Sequence, residues 1–309
     1  MRIAIIGRSR PLLDAASNLL NQGHQLLLVQ SCLPESYYNC PIDSYINFCS
    51  INRIPFVDSR AINNEYLASL DLDVIISMNW PTRVRKETLE IPRFGVLNIH
   101  YSDLPRYQGN APLAWTILNG DTTAAVTAHF MDENLDSGQI IYKELFPVEP
   151  RCSIHELYQI CDSYVPQVLD EAIHRLTTNI YYDPHPHTSV HRSYSRRESD
   201  LRIDWTSSVW HLDRIIRAST HPFSGAYTFL ETRLRLHIFF AEPYKPPFIF
   251  SAVPGQICLI DDNSLSVATS SRFYLLRISQ LYYYSQDNES SLLPFCPLSH
   301  NISTRNRLV

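Results

Sequence analysis

The sequence predicts an α/β protein with a Rossmann-like, mostly parallel sheet, followed by a smaller β-rich domain resembling an OB-like barrel. Three observations carry this reading. The apolar run Arg2–Gly7, the helically spaced Leu12–Asn21 and the apolar run Gln25–Gln30 form a strand, helix and strand within thirty residues, and such a unit implies parallel pairing. Beyond residue 200 the apolar positions fall instead into short alternating strands separated by turn residues, as in a small barrel or sandwich. The length of 309 residues exceeds the usual span of about 100–200 per domain. We therefore divide the chain into residues 1–190 and 191–309.

The first strand ends at Gly7. In the helix after it, Leu12, Leu13, Ala16, Leu19 and Leu20 share one face, and Gly23 stops it. The spacing then predicts a helix over Ser44–Ile51, a short strand over Pro55–Val57, a helix over Asn63–Ser69 and a strand over Asp73–Met78. Val96–His100 reads as a further strand and Pro112–Asn119 as a helix. Val126–Met131 and Gln139–Leu145 read as two strands around a loop, and Ser153–Leu176 as a long amphipathic helix. A stretch rich in Tyr, Pro and His, Thr177–Ser193, reads as the linker. A helix is expected at Ser207–Ser219, then strands at Ala226–Leu230, Leu234–Ala241, Gly255–Ile260, Ser264–Ala268 and Phe273–Leu281.

Composition excludes several classes of function. A formal charge of -5 with scattered basic residues argues against a broad nucleic-acid face, which needs clustered Lys and Arg. The N-terminal apolar run is cut by Gly7 and Arg8, too early for a signal segment, and no stretch reaches the roughly 18–20 apolar residues of a membrane span. A cytoplasmic location is the expectation. Seven cysteines at 32, 40, 49, 152, 161, 258 and 296 form no CxxC pair and read as reduced, buried small hydrophobes. His185 and His187 sit among prolines and read as solvated loop residues rather than metal ligands, so no metal is expected. Asn288 and Asn301 match glycosylation acceptors by pattern alone. Gly7 is not followed by the further glycines of GxGxxG, which argues against a nicotinamide or flavin cofactor.

The segment 95–142 is the most informative. Period two along the strand puts Asn98 and His100 on one side, at the carboxyl end where open α/β sheets bind ligands. Asp136 lies in the loop Asp132–Gly138, between two strands that can return it to the same crevice. Singly, each has a plain explanation: Asn and His at a strand end act as turn or capping groups, and Asp before Ser-Gly is an ordinary turn residue. His129 on a strand and Trp115 on an apolar helix face both read as core residues.

The conjunction shifts that balance. Asn98-Ile-His100 is followed by Ser102-Asp-Leu-Pro-Arg-Tyr-Gln-Gly109 and then by Leu135-Asp-Ser-Gly138, with His100 and Asp136 separated by 136 − 100 = 36 positions. This pattern resembles the 10-formyltetrahydrofolate-dependent formyltransferase family, both its sugar N-formyltransferases and its methionyl-tRNA formyltransferases. The segments SRRESDLRIDW (195–205), RIIRA (214–218) and HPFSGAY (221–227) extend the resemblance into the second domain. Similarity covers most of the chain and is weakest at residues 30–60 and after about 282.

The resemblance implies transfer of a formyl group from N10-formyltetrahydrofolate to a primary amine, and the residue types suit that chemistry. A neutral amine attacks the formyl carbon and creates a tetrahedral oxyanion; the amine must lose a proton and the folate nitrogen must gain one. Asn98 offers an amide N–H to the oxyanion. His100 can polarise the formyl oxygen and carry a proton near neutral pH. Asp136 favours the charged imidazole, or relays the amine proton itself.

Carried over position by position, the resemblance places folate contacts at Thr82, Arg83 and Val84 and along Asp132, Glu133, Asn134, Leu135 and Asp136, largely through backbone groups. Asn110 stands where sugar-modifying relatives place Arg, so a donor contact there differs in kind. The tRNA-modifying relatives carry a basic insertion after the second strand. The equivalent stretch here, residues 31–43, has no Lys or Arg and two acids, which disfavours phosphate binding. The expected acceptor is a small amine, most simply a nucleotide-linked amino sugar. Formylation of methionyl-tRNA is the alternative, and a non-catalytic folate-binding or scaffold protein is a third reading, disfavoured by three filled catalytic positions. The second domain could orient the acceptor or join two subunits in a homodimer.

Overall fold

Strands β1 (Arg2–Gly7), β2 (Gln25–Ser31), β3 (Phe56–Asp58), β4 (Val74–Met78) and β5 (Val96–His100) alternate with helices α1 (Arg10–Asn21), α2 (Ile42–Asn52), α3 (Asn64–Ser69) and α4 (Lys86–Leu89). After β6 (Gln108–Gly109) and α5 (Pro112–Asn119) come β7 (Thr123–Phe130), β8 (Ile140–Pro147), α6 (Ile154–Thr178) and β9 (Arg192–Ser193). A computed structural model gives these elements and describes residues 1–33, 40–178, 180, 190–231, 234–261, 263–284, 292–297, 300 and 302–309.

Seven strands make one sheet in the order β3-β2-β1-β4-β5-β7-β8. The first five are parallel, whereas β7 and β8 are antiparallel to their neighbours. Ile3, Ala4, Ile5 and Ile6 are fully buried, which explains why β1 reads as an unbroken apolar run rather than an alternating one. On one face Ala4, Ile6, Leu28, Ile75 and Val96 from four strands pack with Leu67 of α3 and with Val84. The strand order reverses between β1 and β4, so the carboxyl ends of β4 and β5 border the crevice where such sheets bind ligands.

The chain divides into two compact units. One comprises 1–112, 123–147 and 158–194; the other comprises 113–122, 148–157 and 195–309. The second holds α7 (Val209–Arg217), β10 (Ala226–Phe229), β11 (Arg235–Tyr244), β12 (Ile257–Asp261), β13 (Ser264–Ala268), β14 (Leu275–Tyr284) and β15 (Leu292–Pro294). These strands form an antiparallel sheet ordered β10-β11-β14-β13-β12, with β15 on β14. Ser208 caps α7 by accepting the His211 N–H, and Val209, Leu212, Ile215 and Ile216 recur at helical spacing to face a core of Leu236, Ile238, Val267 and Leu276.

The expected elements are present, several with the expected bounds and the others with shifted ends. The helix expected at Ser44–Ile51 runs Ile42–Asn52 and stops at Arg53, whose φ of 55° breaks it. The short helix α4 and the two-residue parallel pairing of β6 with β9 add to the expectation. Within the expected linker Thr177–Ser193, α6 continues to Thr178 and Arg192–Ser193 is a strand, while 179 and 181–189 lie outside the described residues. His185, His187, Asn288, Asn301 and residues 34–39 lie outside the described residues. Trp115 is half-buried rather than a core residue. All seven cysteines are free, and burial pushes the Cys49 and Cys152 thiols up to about 11, which leaves them protonated and unreactive. No helix among the described residues is long and apolar enough to cross a membrane.

Candidate active site

The last residues of β5 build one wall of the site. Asn98 pairs in register with Ser77 of β4 on one side and His129 of β7 on the other, while His100 pairs with Thr127. Directly paired residues project to the same face of a sheet. Asn98 and His100 therefore share that face with His129 and Thr127, at the carboxyl end of the parallel strands.

Asp136 reaches this face from the loop joining β7 to β8. Its φ of 52° lies in the left-handed region, which Asp tolerates better than most residues. Asp132 braces the turn: its carboxylate accepts the Asn134 N–H at 2.8 Å and the Ser137 hydroxyl at 2.7 Å. Gly138 is required by close approach, since a Cβ there would stand 1.9 Å from the Phe130 carbonyl oxygen. The two glycines of the motif thus have separate physical reasons. Gly109 has a φ of 115° and a missing Cβ that would fall 2.4 Å from the Ser193 carbonyl oxygen, and its N–H donates to Asp136 Oδ2 at 2.9 Å.

The three residues singled out from the sequence lie in one cluster, joined by a fourth. His100 Nε2 is 3.6 Å from Asp136 Oδ2, and His129 Nε2 is 3.6 Å from Asp136 Oδ1. His100 Nε2 also lies 3.5 Å from the Tyr107 carbonyl oxygen. Asn98 Nδ2 is 3.1 Å from His129 Nε2. His129 Nδ1 donates to the Phe130 carbonyl at 2.8 Å, which fixes the proton on Nδ1 and leaves Nε2 to accept from the Asn98 amide. Burial pushes the His129 imidazole down to about 4, and the nearby Asp136 carboxylate only partly opposes this. His129 is therefore neutral at neutral pH.

The core reading of His129 holds, and its ring also adjoins the cluster. It is fully buried, as a core residue is, and its ring lies against Asn98 and Asp136. The available signal was its place seven positions before Asp136, at the end of the strand that feeds the acid loop. His100 is the more open of the two imidazoles, with 14% of its side chain exposed against 1% for His129.

A cavity of about 550 Å³ opens beside the end of β4, lined by Thr82, Arg83, Val84, Arg85, Lys86, Glu87 and Glu133. That volume falls within the range of small-molecule sites, about 300–1,000 Å³. Four of the expected folate contacts, Thr82, Arg83, Val84 and Glu133, line it. Asn110, Asp132, Asn134 and Leu135 are exposed residues outside that lining, while Asp136 is buried in the cluster. The Arg83 guanidinium donates to the Glu133 carbonyl, tying the two walls together. Val84 also packs into the apolar cluster beneath, so a ligand would meet its backbone rather than its side chain. Among the described residues no group of three His, Cys, Asp or Glu side chains could hold a metal ion.

The Formyl transferase family matches residues 55–173, and the Formyl transferase C-terminal domain matches residues 196–283. A methionyl-tRNA formyltransferase of Syntrophus aciditrophicus (strain SB) is 30% identical over 242 residues, covering 78% of this chain and 75% of that protein. The chain belongs to the formyl transferase family. This family member is also 30% identical over 191 residues to the bifunctional polymyxin resistance protein ArnA of Wigglesworthia glossinidia brevipalpis, covering 58% of this chain and 28% of that protein. It spans 59% of the methionyl-tRNA formyltransferase of Rickettsia africae (strain ESF-5). Among solved structures, an N-formyltransferase from Helicobacter canadensis in complex with folinic acid and dTDP-3-aminofucose superposes with a TM-score of 0.65 at 18% identity, over 91% of this chain and 99% of that one. HypX from Aquifex aeolicus in complex with tetrahydrofolic acid gives 0.64 at 16% identity, over 95% and 46%. At these identities the likeness is one of fold.

Proposed function

We propose that this formyl transferase family member moves a formyl group from N10-formyltetrahydrofolate to the primary amine of a small acceptor, a nucleotide-linked amino sugar. The observation that carries this is the meeting of Asn98, His100 and Asp136 at the carboxyl end of β5, in a chain that matches the family along both domains. The amine lone pair forms a bond to the formyl carbon and the carbonyl becomes an oxyanion. The second N–H of Asn98, not used by His129, is free to donate to that oxygen. The bond from the formyl carbon to N10 then breaks, N10 gains a proton and the amine loses one. His100 carries the proton to N10, and Asp136 balances the imidazolium that forms on the way. The products are a formamide and tetrahydrofolate.

The cavity beside β4 is the proposed folate site, with Thr82, Arg83, Val84 and Glu133 as contacts and the remainder of 132–136 along its edge. We assign catalysis to residues 1–190 and a supporting β-rich domain to 191–309, in a cytoplasmic enzyme. The lack of any Lys or Arg at 31–43 and the charge of -5 favour a small acceptor over tRNA. The 30% identity over three quarters of a methionyl-tRNA formyltransferase supports the second reading, formylation of charged initiator tRNA. A mass-spectrometric screen separates the two: nucleotide-linked amino sugars and methionyl-tRNA are each incubated with 10-formyltetrahydrofolate and enzyme. Gain of one formyl unit on an amino sugar supports the first reading, and gain on methionyl-tRNA alone supports the second. Formylation of neither would overturn both.

A further inference from the structure

The geometry points to Lys143 as a positioning residue for the active site, acting through the segment Ser102–Gly109; for its kinetic readout this rests on the formyl-transfer reading above. His100, Thr127 and Lys143 are successive register partners across β5, β7 and β8. Their side chains therefore stand in one row on the site's face of the sheet. His100 begins the row and does chemistry, whereas the other two hold the chain that leaves β5 and crosses over them.

The hold is specific to three consecutive residues. Thr127, fully buried, donates from Oγ1 to the Ser102 carbonyl at 2.6 Å. Lys143 Nζ donates to Asp103 Oδ1 at 2.6 Å and to the Leu104 carbonyl at 3.0 Å, with the two charged side chains 16% and 19% exposed. Ser102 then closes the turn by donating from Oγ to the Arg106 carbonyl at 2.8 Å. The far end of the same segment supplies two contacts inside the site: the Tyr107 carbonyl, 3.5 Å from His100 Nε2, and the Gly109 N–H, 2.9 Å from Asp136 Oδ2. Lys143 touches neither reacting group, but it pins the near end of the segment that orients both. A compact ammonium suits this task, because it can satisfy a carboxylate and a carbonyl lying in different directions. Removing it would leave a largely buried carboxylate at Asp103 without its counter-charge, and the segment must move to bring that carboxylate to water. A shift of about 1 Å in catalytic geometry is enough to cost a large rate factor.

The test uses the full chain with Lys143→Met, Asp103→Asn, the double variant and Lys143→Arg. Circular dichroism establishes that each is folded, and Asp103→Asn preserves shape should Lys143→Met fail to fold. We expect each single variant to lower kcat about tenfold with KM for 10-formyltetrahydrofolate held within about twofold. The double variant should be no worse than either single, and Lys143→Arg should recover part of kcat. Backbone hydrogen exchange supplies a readout independent of turnover: the Gly109 amide should exchange about tenfold faster in Lys143→Met than in the wild type. Unchanged kcat in both singles, a rise in KM alone, or fully additive losses would overturn the assignment, and so would unchanged exchange at Gly109. If the wild type transfers no formyl group to any amine, the functional reading falls, while exchange at Gly109 still decides the role of Lys143.

Discussion

Asn98 Nδ2 donates to Nε2 of His129 across 3.1 Å, and the opposite nitrogen of that imidazole is committed to the Phe130 carbonyl. A side-chain amide can be turned over at little cost unless its neighbours distinguish oxygen from nitrogen. Here the distinction is made by a ring that can only accept at Nε2, because burial keeps it neutral and its proton is spent on the other side. The Asn98 amide is thereby held with one N–H bound to His129 and its oxygen turned from that ring.

His129→Phe should therefore impair turnover without impairing binding. The ring volume is largely kept, the acceptor is lost, and the Asn98 amide is free to present its oxygen to the oxyanion. We expect kcat to fall about tenfold to a hundredfold, with KM for the formyl donor little changed. Steady-state kinetics at saturating acceptor check this, and an intact kcat would show that Asn98 holds its orientation unaided.

His129 also predicts how stability depends on pH. Its folded value, about 4, lies below the reference value of 6.5. Between these the unfolded chain binds more protons than the folded one, so the contribution is present above pH 6.5 and is lost as pH falls toward 4. Linkage puts the loss at roughly 2 kcal/mol between pH 7 and pH 5. Urea denaturation at those two pH values measures it, and in His129→Phe the difference should shrink by about that amount.

Much of the site was legible in the sequence because its parts are local and periodic. Val96–His100 and Pro112–Asn119 occur with the expected bounds, and alternation along β5 put Asn98 and His100 on one side. His129 was obscured because a fully buried His flanked by Ala128 and Phe130 has the pattern of a core strand. Its meaning lies in the register of β7 against β5, which is set by pairing distant in the chain. The same holds for β6 and β9, two residues each, whose parallel pairing joins Gly109 to Ser193 and has no periodic signature. Residues 113–122 and 148–157 cluster with the unit built mainly from 195–309, and no composition change marks them.

Gly138→Ala tests why the acid loop needs its glycine. The added methyl would stand 1.9 Å from the backbone oxygen of Phe130, which no rotamer change can relieve. The loop must shift, carrying Asp136 away from both imidazoles. We expect a loss of about 2 kcal/mol or more in stability together with a fall in kcat; thermal unfolding and kinetics on the same preparation check both. A variant as stable and active as the wild type would show that the loop has slack.

The most direct measurement of the central claim is single-turnover formyl transfer by Asn98→Ala and His100→Ala, run beside titration of each with 5-formyltetrahydrofolate. An amide and an imidazole that act on the reacting carbonyl should each be worth about 10²–10³ in rate, with folate affinity retained. Transfer at the wild-type rate in both variants would contradict the account.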